Sequence, residues 1–190
     1  MMKKMLFPLF CLMFLSVSAF SQGNDHARQF WENLQKHCGK AYEGRLADGI
    51  SHPDFDGHRL VMHVISCDEN TIRVPFHVGE DRSRTWVLTY HDGVIKLKHD
   101  HRLEDGSEDE KTQYGGISPN GGFPHLQFFP ADEETAALIP YAAANVWWIT
   151  LTDEHYIYNL RRTGNDNRIS VVFDFNKPVE TPPAPWGWED

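Results

Sequence analysis

The fold is decided by residues 71–102, which read TIRVPFHVGEDRSRTWVLTYHDGVIKLKHDHR. Three runs rich in β-branched and aromatic residues, 71–78, 85–91 and 94–102, are separated only by a short polar turn and by Asp92-Gly93. Asp-Gly favours the positive φ that a two-residue hairpin turn requires. Parallel strands need crossovers of a dozen or more residues, for which this stretch has no room. The stretch therefore predicts consecutive antiparallel strands.

Further runs of the same kind lie on both sides of this stretch. Together with it they predict strands over 41–46, 59–67, 71–78, 85–91, 94–102, 111–114, 125–129, 145–152, 155–162 and 169–175. In front of them, an apolar stripe at three- and four-residue steps from Ala27 to Cys38 predicts an amphipathic helix. Asp132 opens a short second helix that Pro140 limits.

These elements predict a mainly β fold: a single antiparallel up-and-down β-barrel with an N-terminal amphipathic helix and one short helix. A β-sandwich is the alternative. The barrel is favoured because the hairpins run in sequence and closure removes exposed sheet edges. The pattern resembles the calycin architecture of the lipocalin and fatty-acid-binding group, although no lipocalin signature motif is present. That resemblance implies a barrel with an internal cavity.

The N-terminus predicts export. Two lysines precede an apolar run over residues 5–20, and the small residues Ala19 and Ser21 fit a signal-peptidase site. We therefore interpret residues 1–21 as a cleavable signal peptide. The apolar run is shorter than the roughly 20 residues of a membrane-spanning helix, so we expect no stable membrane span after cleavage. The working protein is expected to be secreted or periplasmic.

The remaining chain is predicted to be one antiparallel β domain over residues 22–176, followed by a Pro/Trp-rich tail over 177–190. The leader carries two of the 18 basic residues and no acid, which leaves 16 basic and 27 acidic side chains and a net charge of −11 with His neutral. Such an acidic surface repels phosphate backbones, so we expect no nucleic-acid partner.

Cleavage of the leader would also remove Cys11 and leave Cys38 and Cys67. An exported chain with two cysteines is expected to join them in a disulfide. Closing a loop of about 30 residues would contribute roughly 3 kcal/mol to stability. Two buried thiols are the alternative.

The strand over 94–102 carries the candidate site. Because alternate side chains of a strand share one face, Ile95, Leu97, His99 and His101 are predicted to face the interior. The alternate set is predicted to face solvent: Lys96, Lys98, Asp100 and Arg102. The two histidines stand where the strand meets a long acidic and glycine-rich loop over 103–124, at the expected mouth of the barrel.

His99 and His101, with Tyr114 in the following segment, are the predicted ligand-binding residues. Neutral imidazoles at a barrel mouth can hydrogen-bond the polar head of a ligand or move protons near neutral pH. Two histidines separated by one residue can also chelate a divalent metal such as zinc, which needs at least one more protein ligand. A third interpretation is that they only fill a polar end of the barrel.

The predicted function is therefore the binding of a small, partly apolar molecule in a barrel cavity. One alternative is a metal-assisted envelope enzyme with His99 and His101 as ligands, and another is a non-catalytic envelope interaction module. Catalysis has little support, because the sequence contains no Gly-x-Ser-x-Gly elbow and no phosphate-cradling glycine loop.

Overall fold

The structure is a computed structural model that describes residues 25–188 of the 190-residue chain. The predicted signal peptide over residues 1–21 lies outside the described residues. The strands are β1 (Ala41–Leu46), β2 (Leu60–His63), β3 (Ser66–Cys67), β4 (Thr71–Val78), β5 (Asp81–His91), β6 (Val94–His101), β7 (Tyr114–Ile117), β8 (Leu126–Pro130), β9 (Asn145–Leu151), β10 (His155–Arg162) and β11 (Arg168–Val179). The helices are α1 (His26–Gln35) and α2 (Glu133–Leu138), and a 3-10 turn over Pro140–Ala142 follows α2.

The strands form one sheet that curls almost into a closed barrel. Their order is β7-β6-β5-β4-β2-β1-β11-β10-β9-β8, with the short β3 paired to β4. The two ends of the sheet meet at an antiparallel bridge between Gly116 of β7 and Ala131, which directly follows β8. A Cβ atom on Gly116 would collide with the carbonyl oxygen of Pro130, so glycine is needed for this close approach. The predicted mainly β, up-and-down barrel is confirmed.

The hairpin predicted at Asp92-Gly93 joins β5 and β6. The two residues adopt φ values of 49° and 78°, which a type I′ turn requires. His91 pairs with Val94 on either side of the turn. This local geometry fixes the register of β6 and thereby the side from which its histidines project.

Helix α1 closes one end of the barrel. Asp25 caps it by accepting a hydrogen bond of 2.9 Å from the backbone N–H of Arg28. The helix packs against β5, β8 and β9, and the ring of its Trp31 lies 5.8 Å from that of Tyr90 near the end of β5. Four residues of the predicted stripe are buried in α1: Ala27, Phe30, Trp31 and Leu34. The fifth, Cys38, lies beyond the end of the helix at Gln35 and is only partly buried.

A disulfide between Cys38 and Cys67 ties the segment after α1 to β3, as predicted. The two Cα atoms are 6.1 Å apart and the residues are 29 positions apart in sequence. Disulfides are typical of proteins that fold outside the reducing cytosol. Within residues 25–188, no helix combines the length and the apolar character that crossing a membrane would require.

The outer face of β6 is not solvent-facing along its length, which corrects the prediction for Lys98 and Asp100. Their exposed fractions are 8% and 1%. Lys98 forms ion pairs of 2.7 Å with Asp132 and Glu134, at the start of α2, which packs against the neighbouring strand β7. Asp100 accepts a hydrogen bond from the indole of Trp188, because the C-terminal tail crosses the strand there. Alternation along a strand predicts on which face of the sheet a side chain lies. It does not predict which other part of the chain covers that face.

Candidate functional site

A cavity of about 390 Å³ lies at the end of the barrel opposite α1. Its inner wall is largely aromatic: Phe55, Phe76, Trp86, Tyr114, Trp147 and Tyr158. Its charged rim contains Asp54, Arg84, Asp109, Lys111 and Arg162. Asp54 and Lys111 are exposed, so this end of the barrel is open to solvent. The volume lies within the range of small-molecule sites in proteins, roughly 300–1,000 Å³.

The floor of the cavity is a pair of stacked rings, Trp86 and Tyr158. Their centroids are 4.3 Å apart and their planes are inclined by 18°. Trp86 belongs to β5 and Tyr158 to β10, which have four strands between them on each side of the ring. The pair therefore spans the barrel, and the cavity ends above it.

His99 lies in the wall of the cavity with both ring nitrogens hydrogen-bonded. Nδ1 is 3.0 Å from the carbonyl oxygen of Tyr114, and Nε2 is 2.7 Å from the hydroxyl of Tyr158. A carbonyl oxygen can only accept, so Nδ1 carries the proton and Nε2 accepts from the Tyr158 hydroxyl. This arrangement assigns one tautomer to a neutral imidazole.

Electrostatics agree with that assignment. Burial lowers the pKa of His99 to about 3, and the neighbouring His101 contributes to the shift. Burial also raises the pKa of the Tyr158 hydroxyl well above its ordinary value. At neutral pH the imidazole is therefore uncharged, and the phenol keeps the proton that it donates.

His101 and Tyr114 form the polar part of the same wall. The Tyr114 hydroxyl is 3.0 Å from Nε2 of His101, and the Tyr114 ring stacks on His99 with centroids 4.6 Å apart. Burial lowers the pKa of His101 to about 4 and raises that of Tyr114. Nδ1 of His101 has no hydrogen-bond partner among the residues that the structure describes. Neutral His101 and Tyr114 each carry one donor, and the hydrogen bond between them uses one of the two. The other donor, an N–H or an O–H, therefore stays available to another molecule.

The structure thus brings the three predicted site residues, His99, His101 and Tyr114, onto one cavity wall. The sequence marks strand aromatics such as Trp86 and Tyr158 mostly as core residues, of which some can line a cavity, but it does not single out this pair or the rim cation Arg162. Strand alternation predicts that Tyr158 and Arg162 both face inward, because they lie on the same face of the strand over 155–162. That signal does not say whether an inward residue meets a packed core or a cavity.

Among the described residues, no additional ligand supports metal binding at the His-x-His pair. In the described part of the chain, no group of three or more His, Cys, Asp or Glu side chains is arranged to hold a metal ion. His99 has no free nitrogen unless the Tyr158 hydrogen bond breaks.

The sequence matches no protein-family model, and comparisons with curated proteins and with solved structures found no significant match. The cavity and its lining are therefore the basis on which a function can be inferred.

Proposed function

We propose that this chain is an exported protein that binds a small, partly apolar molecule in the cavity of its β-barrel. The observation that carries the proposal is the cavity of about 390 Å³, with an aromatic inner wall and a polar rim open to solvent. Binding sites for small molecules are concave and mostly apolar, with a few polar groups that orient the ligand. This cavity has that composition.

His101 and Tyr114 are proposed as the orienting polar contacts. They are hydrogen-bonded to each other, and the pKa shifts keep both uncharged at neutral pH. His99 is proposed as a positioning residue, because its Nδ1–H donates to the carbonyl oxygen of Tyr114 and its ring stacks on the Tyr114 ring.

Export is supported by the sequence pattern of residues 1–21 and by the Cys38–Cys67 disulfide. An oxidising compartment maintains such a bond, whereas the cytosol tends to reduce it. We propose that the barrel meets its ligand in the periplasm or outside the cell.

The proposal can be tested by calorimetric titration with two neutral probes, 2-naphthamide, which is flat, and decanamide, which is flexible. We expect at least one of them to bind with one site per chain. Ile169→Trp, which places an indole in the cavity lining, should weaken binding by about tenfold or more. The matched variant Ile117→Trp, at an exposed position outside the cavity, should leave binding unchanged.

Failure of both probes to bind the folded, oxidised protein would overturn the proposal and favour the interaction-module alternative. Equal weakening by Ile169→Trp and Ile117→Trp would also count against the cavity as the binding site.

A further inference from the structure

The guanidinium group of Arg162 is held at the rim of the cavity by two neighbours. Its Nε donates a hydrogen bond of 2.9 Å to Oδ1 of Asn145, which is the register partner of Arg162 on β9. Its central carbon lies 4.9 Å from the centroid of the Tyr141 ring. All three residues line the cavity. These contacts fix the plane of the guanidinium and leave Nη1 and Nη2 without a hydrogen-bond partner among the described residues.

This corner of the rim has hydrogen-bond donors and, among the described residues, no carboxylate. Among residues 25–188, no carboxylate lies within ion-pair distance of Arg162, whereas Arg84 across the barrel pairs with Asp81. The Asn145 side chain uses its oxygen for Arg162, and its Nδ2 donates to no residue that the structure describes. Asn145 is only 5% exposed. Donors that open onto a partly enclosed cavity and have no acceptor among the described residues favour a ligand that brings acceptor oxygens.

The two acids of the rim belong to the other side of the mouth. Asp54 precedes Phe55, whose ring packs 5.3 Å from Phe76 on β4. The backbone N–H of Asp109 donates a 3.0 Å hydrogen bond to the carbonyl of His101 on β6. Asn145 and Arg162 therefore lie on the β9–β10 side of the mouth, whereas both acids lie on the β4–β6 side together with Arg84 and Lys111.

The part of the cavity between Arg162 and the floor suits a flat, ring-shaped ligand. Arg162 follows Tyr158 of the floor by four positions on β10, which corresponds to about 13 Å along the strand at roughly 3.3 Å per residue. Five strands each contribute an aromatic ring to the inner wall: Phe76, Trp86, Tyr114, Trp147 and Tyr158. Aromatic side chains favour offset-stacked and edge-to-face contacts with another ring.

We infer that the ligand of this cavity is an aromatic carboxylate. Its ring lies among the aromatic side chains above Trp86 and Tyr158, and its carboxylate accepts hydrogen bonds from Nη1 and Nη2 of Arg162 and from Nδ2 of Asn145. Arginine binds planar carboxylates with two parallel hydrogen bonds. The net negative charge of the chain does not prevent this, because charges more than about 8 Å away are largely screened at physiological ionic strength. This inference rests on the proposed function.

The test compares four probes by calorimetric titration at pH 7.5 and physiological ionic strength. They are 2-naphthoate, its amide 2-naphthamide, the amine 2-naphthylmethylamine, and decanoate. We expect 2-naphthoate to bind at least about tenfold tighter than the amide, the amine to bind weakest, and decanoate to bind less tightly than 2-naphthoate.

Two adjacent arginines then provide a matched pair of variants. Arg162→Gln should reduce the preference for acid over amide to near one, because the affinity for 2-naphthoate falls much more than that for 2-naphthamide. Binding of 2-naphthamide that is retained in the variant shows that the cavity is intact. Arg161→Gln, at the exposed neighbouring position, should preserve the preference.

Equal binding of acid and amide by the unaltered protein, a preference that survives Arg162→Gln, or tighter binding of decanoate would each overturn the inference while leaving the cavity as a binding site. Binding of none of the four probes would overturn the proposed function itself.

Discussion

The indole Nε1 of Trp188 donates a hydrogen bond of 2.9 Å to Oδ2 of Asp100, a residue 88 positions earlier in the chain. Asp100 stands on the outer face of β6 and is 1% exposed. Its Oδ2 also pairs with Nε of Arg102 at 3.1 Å, and its Oδ1 accepts from the side-chain amide of Gln113 at 3.1 Å. One buried carboxylate therefore holds both the C-terminal tail and the loop that follows β6.

This relationship predicts a stability cost for a small change in the tail. Trp188→Phe removes the donor while keeping a ring, and leaves the buried Asp100 carboxylate with one hydrogen bond fewer. We expect the free energy of unfolding in urea to fall by about 1–3 kcal/mol.

Trp148→Phe is the matched control. Trp148 is partly exposed on β9, and its indole N–H donates to no residue within the described part of the chain. Its replacement should change stability by less than Trp188→Phe does. Equal losses of stability in the two variants would mean that the change from an indole to a smaller ring, and not the lost hydrogen bond to Asp100, causes the loss.

The barrel could be predicted from sequence because its determinants are local. The alternation within strands and the Asp92-Gly93 turn each constrain a few neighbouring residues. The interior position of His99 follows from the same alternation. Its hydrogen bond to Tyr158 does not, since the two residues are 59 positions apart and meet only when the barrel closes.

Lys98, Asp100 and Arg162 show the limit of that reasoning. Alternation correctly separates the two faces of β6, but the burial of Lys98 depends on α2 and that of Asp100 on the tail. Arg162 is one of several strand arginines in the sequence. Its unpaired guanidinium becomes evident only from the absence of a nearby carboxylate among the described residues.

The buried tyrosines of β10 provide a second prediction. Tyr158→Phe removes the only donor that the described residues offer to Nε2 of His99, and leaves that nitrogen buried without a partner among them. We expect a loss of about 1–3 kcal/mol in the free energy of unfolding. Tyr156, two positions earlier, has a buried hydroxyl with no hydrogen-bond partner among the described residues.

Tyr156→Phe is therefore expected to be neutral or slightly stabilising, because it removes a buried polar group that gains nothing from folding. Urea unfolding of the two variants at pH 7.5 gives the comparison. A Tyr158→Phe protein as stable as Tyr156→Phe would show that the His99 hydrogen bond contributes nothing to the fold.

The buried histidines predict that stability falls on mild acidification. Burial lowers the pKa of His77 to about 4 and that of His99 to about 3, from an ordinary value of 6.5. The unfolded chain therefore binds more protons than the folded one between pH 6.5 and about 4. The stabilising contribution of the neutral forms is complete above pH 6.5 and is lost as the pH falls through this window.

At pH 5 the loss for each buried histidine is on the order of 2 kcal/mol. Urea unfolding at pH 7.5, 6 and 5 measures it. His77→Gln should flatten the pH dependence, whereas His91→Gln, at an exposed side chain, should not. Carboxyls whose pKa is lowered, among them Asp25, Asp81 and Asp132, lose their contribution only below about pH 4. Stability that stays constant from pH 7.5 to 5 would contradict the assignment of neutral buried histidines.

The disulfide predicts an effect on stability that is separable from binding. Cys38 and Cys67 lie at the α1 end of the barrel, away from the cavity at the other end. Replacing both by Ser releases a loop of 29 residues and should lower the free energy of unfolding by roughly 3 kcal/mol, mainly by increasing the freedom of the unfolded chain.

At temperatures where the variant is still folded, its affinity for 2-naphthamide should equal that of the oxidised protein. The oxidised protein treated with a reductant should match the double variant in urea unfolding. A double variant that is as stable as the oxidised protein would show that packing of α1 alone closes this end of the barrel, and a loss of affinity in the folded variant would show that the closed end and the cavity are coupled.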